Sequence, residues 1–487
     1  MIRLVQCAVA GAVVLGATAW VAAASVFQPT GIKIGEVTGA SAVVWTRLAS
    51  VTAPRHGGLQ FVDVKRREAE AADPMAQLPP GAALKDMEGS VPGSEGEVRV
   101  VWRRLDERSP ARSTAWTRTS PAADFTAQIR LTDLAPGVRY AVTVESRDLS
   151  GQPGETVEGR FVTPFAADQS APVRFIITTC HDDERRDDEA GGFRMYGSAR
   201  QWAPDFFVHT GDFVYLDKPR PYGLTPALAR FKWNRTSAWP TVREFYRGVS
   251  AYFIKDDHDI SRNDSAPGDQ FGALTFSEGV RIGAEQLPMP PAPGYRSVRW
   301  GRDLEIWLLE SREHRNARKG EKVADRTLLG ADQKQWLFDS LRRSTATFRV
   351  VISGVPIVGP NVDYKSGEGG DSLADDVFRS EGEEVRRRLA AIPNTLVVAG
   401  DRHWQYHSID PETGLNEFGC GPACFGMAAE FVTKVKRTPL HQFLRIDGGF
   451  LSGEVRETGT SPPTLTLRHH DVNGEIVYES TFAARPH

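Results

Sequence analysis

Between residues 180 and 403 the chain gathers, in four short stretches, side chains able to bind metals or move protons. Cys180 is followed by His181, Asp182 and Asp183, and Asp212 is followed three positions later by Tyr215. Asp256, Asp257, His258 and Asp259 are contiguous, with Asn263 and Asp264 just beyond, and Asp401, Arg402 and His403 form the last group. Each has an ordinary reading when taken singly. An Asp after a strand caps a turn or helix, and a lone Cys fills a core as a small apolar group. Together they suit a two-metal centre with Asp212 as the bridging carboxylate. Two cations ~3.5–4 Å apart produce hydroxide at neutral pH and clamp the oxygens of an in-line displacement. Thiolate and phenolate donors favour a transition metal, most simply ferric iron, whereas Asp and Asn oxygens suit a harder second cation.

The elements that must hold these groups are strands. Val173–Thr179, Phe206–Thr210, Tyr252–Lys255 and Thr395–Ala399 each run directly into one of the four clusters. Ligand sites in α/β sheets gather outside the carboxyl ends of the strands. Leu304–Leu309 and Phe348–Ser353 are two further strand candidates, and the spacing of Gln333, Trp336, Leu337 and Leu341 predicts an amphipathic helix between them. Strands alternating with helices define an α/β domain over 170–487. Phe443–Ile446 and Leu465–Leu467, with the Asn473-Gly474 turn, are expected to complete its sheets. Residues 26–165 differ. Ala42–Trp45, Val98–Trp102 and Tyr140–Val144 are short alternating runs between Gly, Pro and Asp turns, which predicts an all-β module. The turn and strand at Leu134–Tyr140 resemble those of fibronectin type III-like sandwiches, and 65–96, with no sustained period, is expected to be a long loop.

The 487 residues allow two or three domains, and a formal charge of −3 argues against a general nucleic-acid-binding surface. Arg3 precedes an apolar stretch ending in Ala22, Ala23 and Ala24, the layout of a signal peptide over 1–24, with an uncleaved anchor as the alternative. No later run is long and apolar enough to span a bilayer. Export would permit a disulfide between Cys420 and Cys424, leaving Cys180 as the odd thiol.

The ordered segments TCHDDE at 179–184, GDFVY at 211–215, DDHDISRND at 256–264 and GDRHW at 400–404 resemble the metallophosphoesterases, and more closely the alkaline phosphatase D family. Leu309–Arg312, Leu329–Gln333 and Trp336 are similar to that family too. The resemblance implies a four-layer α/β/β/α metallophosphoesterase sandwich behind an N-terminal sandwich. It implies hydrolysis of phosphomonoesters or phosphodiesters, small-molecule or lipid, by a metal-bound hydroxide, with Fe3+ and a second cation, commonly Ca2+. It assigns Cys180, Asp212 and Tyr215 to iron, and Asp257, Asp401 and His403 to the second ion with Asp212 shared. It makes His258 the group that stabilises or protonates the leaving oxygen, with Asp259 orienting it, and Asn263, Arg402 and Arg312 contacts to phosphate oxygens. The chain departs from the family in lacking paired arginines near the N-terminus, in His181 after Cys180 where Gln is usual, and in its DDHD segment. His181 is thus a candidate ligand or leaving-group residue. The rival functions are a phospholipase D-like phosphodiesterase, a non-catalytic metal-binding envelope protein, and a metal-independent hydrolase using Cys180 as nucleophile.

Overall fold

The computed structural model describes residues 25–71, 73–105, 109–318, 321, 323, 325–360, 370–457 and 461–485. The expected signal segment lies outside the described residues. Among the described residues no helix is long and apolar enough to cross a membrane.

Strands with side chains buried on both faces need a layer on each side, and the chain supplies them. A nine-stranded sheet has at its centre the parallel strands Val173–Thr178, Phe206–His209, Ser250–Phe253 and Ile32–Gly35. A seven-stranded sheet is built on the parallel strands Leu304–Leu308, Phe348–Ser353, Thr395–Ala399 and Asn416–Cys420. The two sheets face each other across one apolar core, where Phe175, Ile177, Val208 and Tyr252 meet Ile306, Val350, Ile352 and Val398. Because strand side chains alternate in direction, the intervening Ile176, Phe207, Ala251 and Phe253 point the other way. They pack under Tyr196, Trp233, Phe245 and Ile282, from the helices Arg194–Gln201, Pro226–Ser237, Pro240–Tyr246 and Phe276–Gln286. On the far side Trp307, Val351 and Val397 meet Leu337, Leu341, Val385 and Leu389 of the helices Gly330–Arg343 and Arg379–Ala390. The layers are therefore helix, sheet, sheet, helix, and each fully buried large side chain contributes about 1.5–3 kcal/mol.

The six strands expected between residues 173 and 399 are present, with ends shifted by no more than two residues. The C-terminal strands Gly449–Arg456, Thr464–Asp471 and Ile476–Ala483 extend the larger sheet and His441–Arg445 extends the smaller one. The N-terminal module is less separate than its sequence suggests. A five-stranded sheet containing Glu97–Arg104, Arg139–Arg147 and Pro153–Val162 packs Val98, Val100, Val142 and Val144 on Ile32, Ile34, Val44 and Ile129. The facing strands Ile32–Gly35, Ala42–Arg47 and Thr126–Leu131 belong to the large sheet, through Ile34 opposite Ser250 and Gly35 opposite Ala251. Hydrogen bonding thus runs without a break across the division expected at 165–170. Alternating strands read alike whether their sheet ends with them or continues.

The segment 65–96 also differs from the expected loop, because it contains the helix Arg66–Ala71 and two short 3-10 turns. Leu78 and Met87 of this segment, with Phe61, pack against Leu224, Leu228 and Phe231. The Cys420–Cys424 disulfide is not formed. Both thiols are free and buried, Cys420 against the Ala399 carbonyl and Cys424 against that of Arg185, so the sulfurs face different partners.

Candidate metal centre

The clusters converge where the two sheets present the carboxyl ends of their parallel strands. Cys180, Asp212 and Asp401 each sit just past a strand, and each takes a left-handed backbone, with φ of 49°, 58° and 59°. This conformation is uncommon outside glycine and clusters at functional sites. Gly211, at φ 110°, lets the Asp212 loop approach that of Asp256, since a Cβ there would lie 2.4 Å from the Asp256 Cβ. Asp259 pins the same loop: its carboxylate accepts the backbone N–H groups of Asp212, Val214 and Asp256 at 2.8–3.0 Å.

Around Asp212 the donors fall into two groups. Cys180 Sγ donates to Asp212 Oδ2 at 3.3 Å, and the Tyr215 hydroxyl donates to the same oxygen at 2.9 Å while lying 3.1 Å from His403 Nε2. Cys180, Asp212 and His403 offer ligand atoms all within 4.8 Å of one another, and so do Asp212, Asp257 and His258. Asp212 is common to both, and its buried Oδ1 has no hydrogen-bond partner among the described residues. A third such group joins Asp257 with Asp264 and Asp371.

The electrostatics fit cations. Burial drives the pKa of Asp212 well above the usual carboxylate range, with Asp257, Asp259 and Asp401 adding to the rise and His258 opposing it. Burial followed by the charges of Asp212 and Asp401 raises the Cys180 thiol, and burial followed by Asp212 and Cys180 raises the Tyr215 phenol. Three acids that resist ionisation in one dry site need positive charge to become ligands. The mixture of thiol, phenol, imidazole and carboxylate suits a transition metal better than Mg or Ca. Cys180, Asp212 and His403, with the Tyr215 hydroxyl beside them, could hold one ion, so His403 falls with the cysteine group and not with Asp257 as expected, and Asp212 and Asp257 could hold another.

His258 has a different setting from the one expected. Its Nδ1 lies 2.7 Å from Asp217 Oδ1, and Asp217 Oδ2 accepts the Asn263 backbone N–H at 3.2 Å. Burial opposes charge on the imidazole, but Asp217, Asp257 and Asp212 outweigh it and hold the pKa well above 6.5. Asp217 therefore orients His258, whereas Asp259 is occupied with backbone N–H groups. Asp217 lies two residues beyond GDFVY, so following that motif further would have found it.

The predicted phosphate contacts separate. Asn263 lies exposed on the rim of a cleft of about 200 Å³ lined also by Tyr215, His258, Asp401, Arg402 and His403. Arg402 borders the cleft but is buried, its guanidinium paired with Asp401 and 3.6 Å from Asp371. Arg312 does not reach the cleft. Its side chain is fully enclosed by Asp256, Asp257 and Asp371, which makes it a structural counter-charge. His181 lies outside these donor groups: its Nδ1 is 2.9 Å from the Tyr196 hydroxyl and 3.3 Å from His209 Nε2, and its ring packs on Phe193 and Phe213. Burial lowers its pKa to about 3, so it stays neutral. Asp371, which meets both Arg312 and Arg402, carries no local sequence signal. No described residue of 65–96 lines the cleft.

The family of PhoD-like phosphatases matches residues 175–442, more than half of the chain. Alkaline phosphatase D of Bacillus subtilis (strain 168) is 22% identical over 329 residues, covering 56% of this chain and 55% of that protein. The chain thus spans about half the length of this curated relative in the match. The fold is similar to that of PhoD, with a TM-score of 0.66 at 16% identity over 94% of this chain and 90% of the other. A purple acid phosphatase isolated from yellow lupin (Lupinus luteus) seeds is also similar, with a TM-score of 0.60 at 12% identity over 93% of this chain and 74% of that one. The segment matched by the family contains all four clusters, and on that ground the chain belongs to the PhoD-like phosphatase family.

Proposed function

We propose that the protein is an exported, metal-dependent phosphoesterase acting on phosphomonoesters, phosphodiesters or both. The observation that carries the reading is Asp212: a buried carboxylate with an unpartnered oxygen, shared between two groups of metal-type donors. Bound cations, for which we infer iron and a harder ion such as calcium, would supply Lewis acidity toward phosphoryl oxygens and hydroxide at neutral pH. Cys180, Tyr215 and His403 would serve iron with Asp212, and Asp257 would serve the second ion with Asp401 at its margin. The remaining roles belong to groups on the cleft. His258, with Asp217 against Nδ1 favouring its protonated form, would give a proton from Nε2 to the departing oxygen. Asn263 on the rim would meet a phosphoryl oxygen, and Arg402 would add positive charge behind Asp401. The apolar segment ending at Ala24 supports export.

Asp212→Asn removes the shared charge while keeping the shape. The variant is expected to stay folded, lose bound metal and lose nearly all hydrolysis of both a monoester and a diester chromogenic substrate. Undiminished hydrolysis in that variant would end the two-metal reading and favour a metal-independent hydrolase.

A further inference from the structure

A larger cavity, of about 420 Å³, lies outside the cleft and shares no lining residue with it. The short turn Asp183–Arg185 and its continuation to Arg186 contribute to both. Arg185 lines the cleft, whereas Asp183, Glu184 and Arg186 line the cavity. The opposite wall is the chain around Arg55 and Phe61, the part of the N-terminal region that leads into the 65–96 segment.

The cavity has more positive charge than its own carboxylates can neutralise. Five arginines line it: Arg55, Arg186, Arg220, Arg235 and Arg243. Arg235 pairs with Asp183 at 2.7 Å and Glu184 at 3.3 Å, and Arg220 pairs with Glu184 at 2.8 Å. Those acids are thereby used, and Glu88, the third carboxylate of the lining, accepts the Gly58 N–H at 2.7 Å and lies 3.7 Å from His56. Arg55, Arg186 and Arg243 have no carboxylate partner among the described residues, and the Nε of Arg243 is buried without a hydrogen-bond partner. Arg186 is held in place by the Trp239 ring, 4.4 Å from its guanidinium, and by the Asp183 carbonyl, to which its Nη1 donates at 2.8 Å. A planar guanidinium fork fixed in this way matches the geometry of phosphate and carboxylate oxygens. Phe61, Trp239 and Pro240 give the cavity apolar walls, and its volume lies in the lower part of the roughly 300–1,000 Å³ range of small-molecule sites.

We propose that this cavity is a second, non-catalytic site that binds a small phosphorylated organic molecule. Its phosphate meets Arg55, Arg186 and Arg243, and its organic body lies on the apolar walls. The site depends on neither the bound metals nor Asp212.

Phenylphosphonate, which carries a phosphate-like group that cannot be hydrolysed on an aromatic body, is the probe. Calorimetric titration of the full chain carrying Asp212→Asn, in which the metal centre is disabled, is expected to show one saturable site. Adding Arg55→Gln and Arg243→Gln is expected to weaken that binding at least about ten-fold, the loss typical of hydrogen bonds to charged groups. Benzoate is expected to bind more weakly than phenylphosphonate, and equal binding would overturn the assignment to phosphate. The same pair of substitutions in the otherwise unaltered, metal-loaded protein should remove one of two bound phenylphosphonates and leave phosphoester hydrolysis unchanged. No binding to the Asp212→Asn protein together with a single site in the metal-loaded protein, or affinity unaffected by the two arginine substitutions, would overturn the proposal. Those binding outcomes are separate from the hydrolysis assay, so the cavity and the phosphoesterase reading can fail independently.

Discussion

Asp217→Asn isolates the role of His258. The Asp217 carboxylate lies 2.7 Å from His258 Nδ1 and is almost fully buried, so little water can replace it. The substitution keeps an oxygen able to accept from Nδ1–H, but removes the charge that most strongly holds the imidazole protonated. A hydrogen bond to a charged group is worth about 1.5–3 kcal/mol, which corresponds to about 10- to 150-fold in rate if it acts in the transition state. The loss should depend on the leaving group. An alkyl phosphate needs a proton on its departing oxygen and should lose most of that factor, whereas a nitrophenyl phosphate departs as a stabilised phenolate and should lose far less. The assay is kcat/KM for a matched alkyl and nitrophenyl pair, with metal content measured to show that the cations remain. Equal losses on both substrates, or none on either, would refute the assignment of His258 as proton donor.

Three further outcomes follow from buried groups. Arg312→Met leaves Asp256, Asp257 and Asp371 without their shared counter-charge, and should lower stability by about 3–5 kcal/mol, read from urea unfolding. His181→Asn should retain bound metal and most activity while losing about 1–3 kcal/mol of stability, because Tyr196 loses its imidazole partner and keeps only the longer contact to Tyr246; loss of metal with stability intact would make His181 a ligand. Burial lowers His181 and His469 to about 3, below the 6.5 of an unfolded histidine. The unfolded chain therefore takes up these protons first, so stability is fully present above about pH 6.5 and falls on acidification toward the folded values. Each histidine contributes about 1.4 kcal/mol per pH unit in that window, and His469→Asn should make urea unfolding between pH 6 and 4.5 measurably less acid-sensitive.

Much of the centre was legible because its chemistry is written at strand ends. Cys180, Asp212, Asp257 and Asp401 each follow a run of buried-type residues, and parallel strands bring such positions to one edge whatever the loops do. Side-chain direction was not legible. Cys180 and His181 are neighbours, yet the left-handed turn at Cys180 sends the thiol toward Asp212 and the imidazole into an aromatic core. Arg312 and Arg402 are similar in sequence terms, and only packing separates the enclosed counter-ion from the one that borders the cleft. Asp259 is closer in sequence to His258 than Asp217 is, but Asp259 holds the Asp212 loop by its backbone, and the partner comes from the preceding strand end. The continuation of the large sheet through Ile32–Gly35 was hidden because its hydrogen-bonding partner lies more than two hundred residues away.

In the proposed centre, Cys180, Asp212, Tyr215 and His403 surround a transition metal. Anomalous diffraction at the iron absorption edge, from crystals of protein whose hydrolytic activity has been measured, tests it directly. A peak is expected within bonding distance of Cys180 Sγ, an Asp212 oxygen, the Tyr215 hydroxyl and His403 Nε2, and no such peak in Asp212→Asn. Fully active protein with no anomalous scatterer beside Cys180 would contradict it.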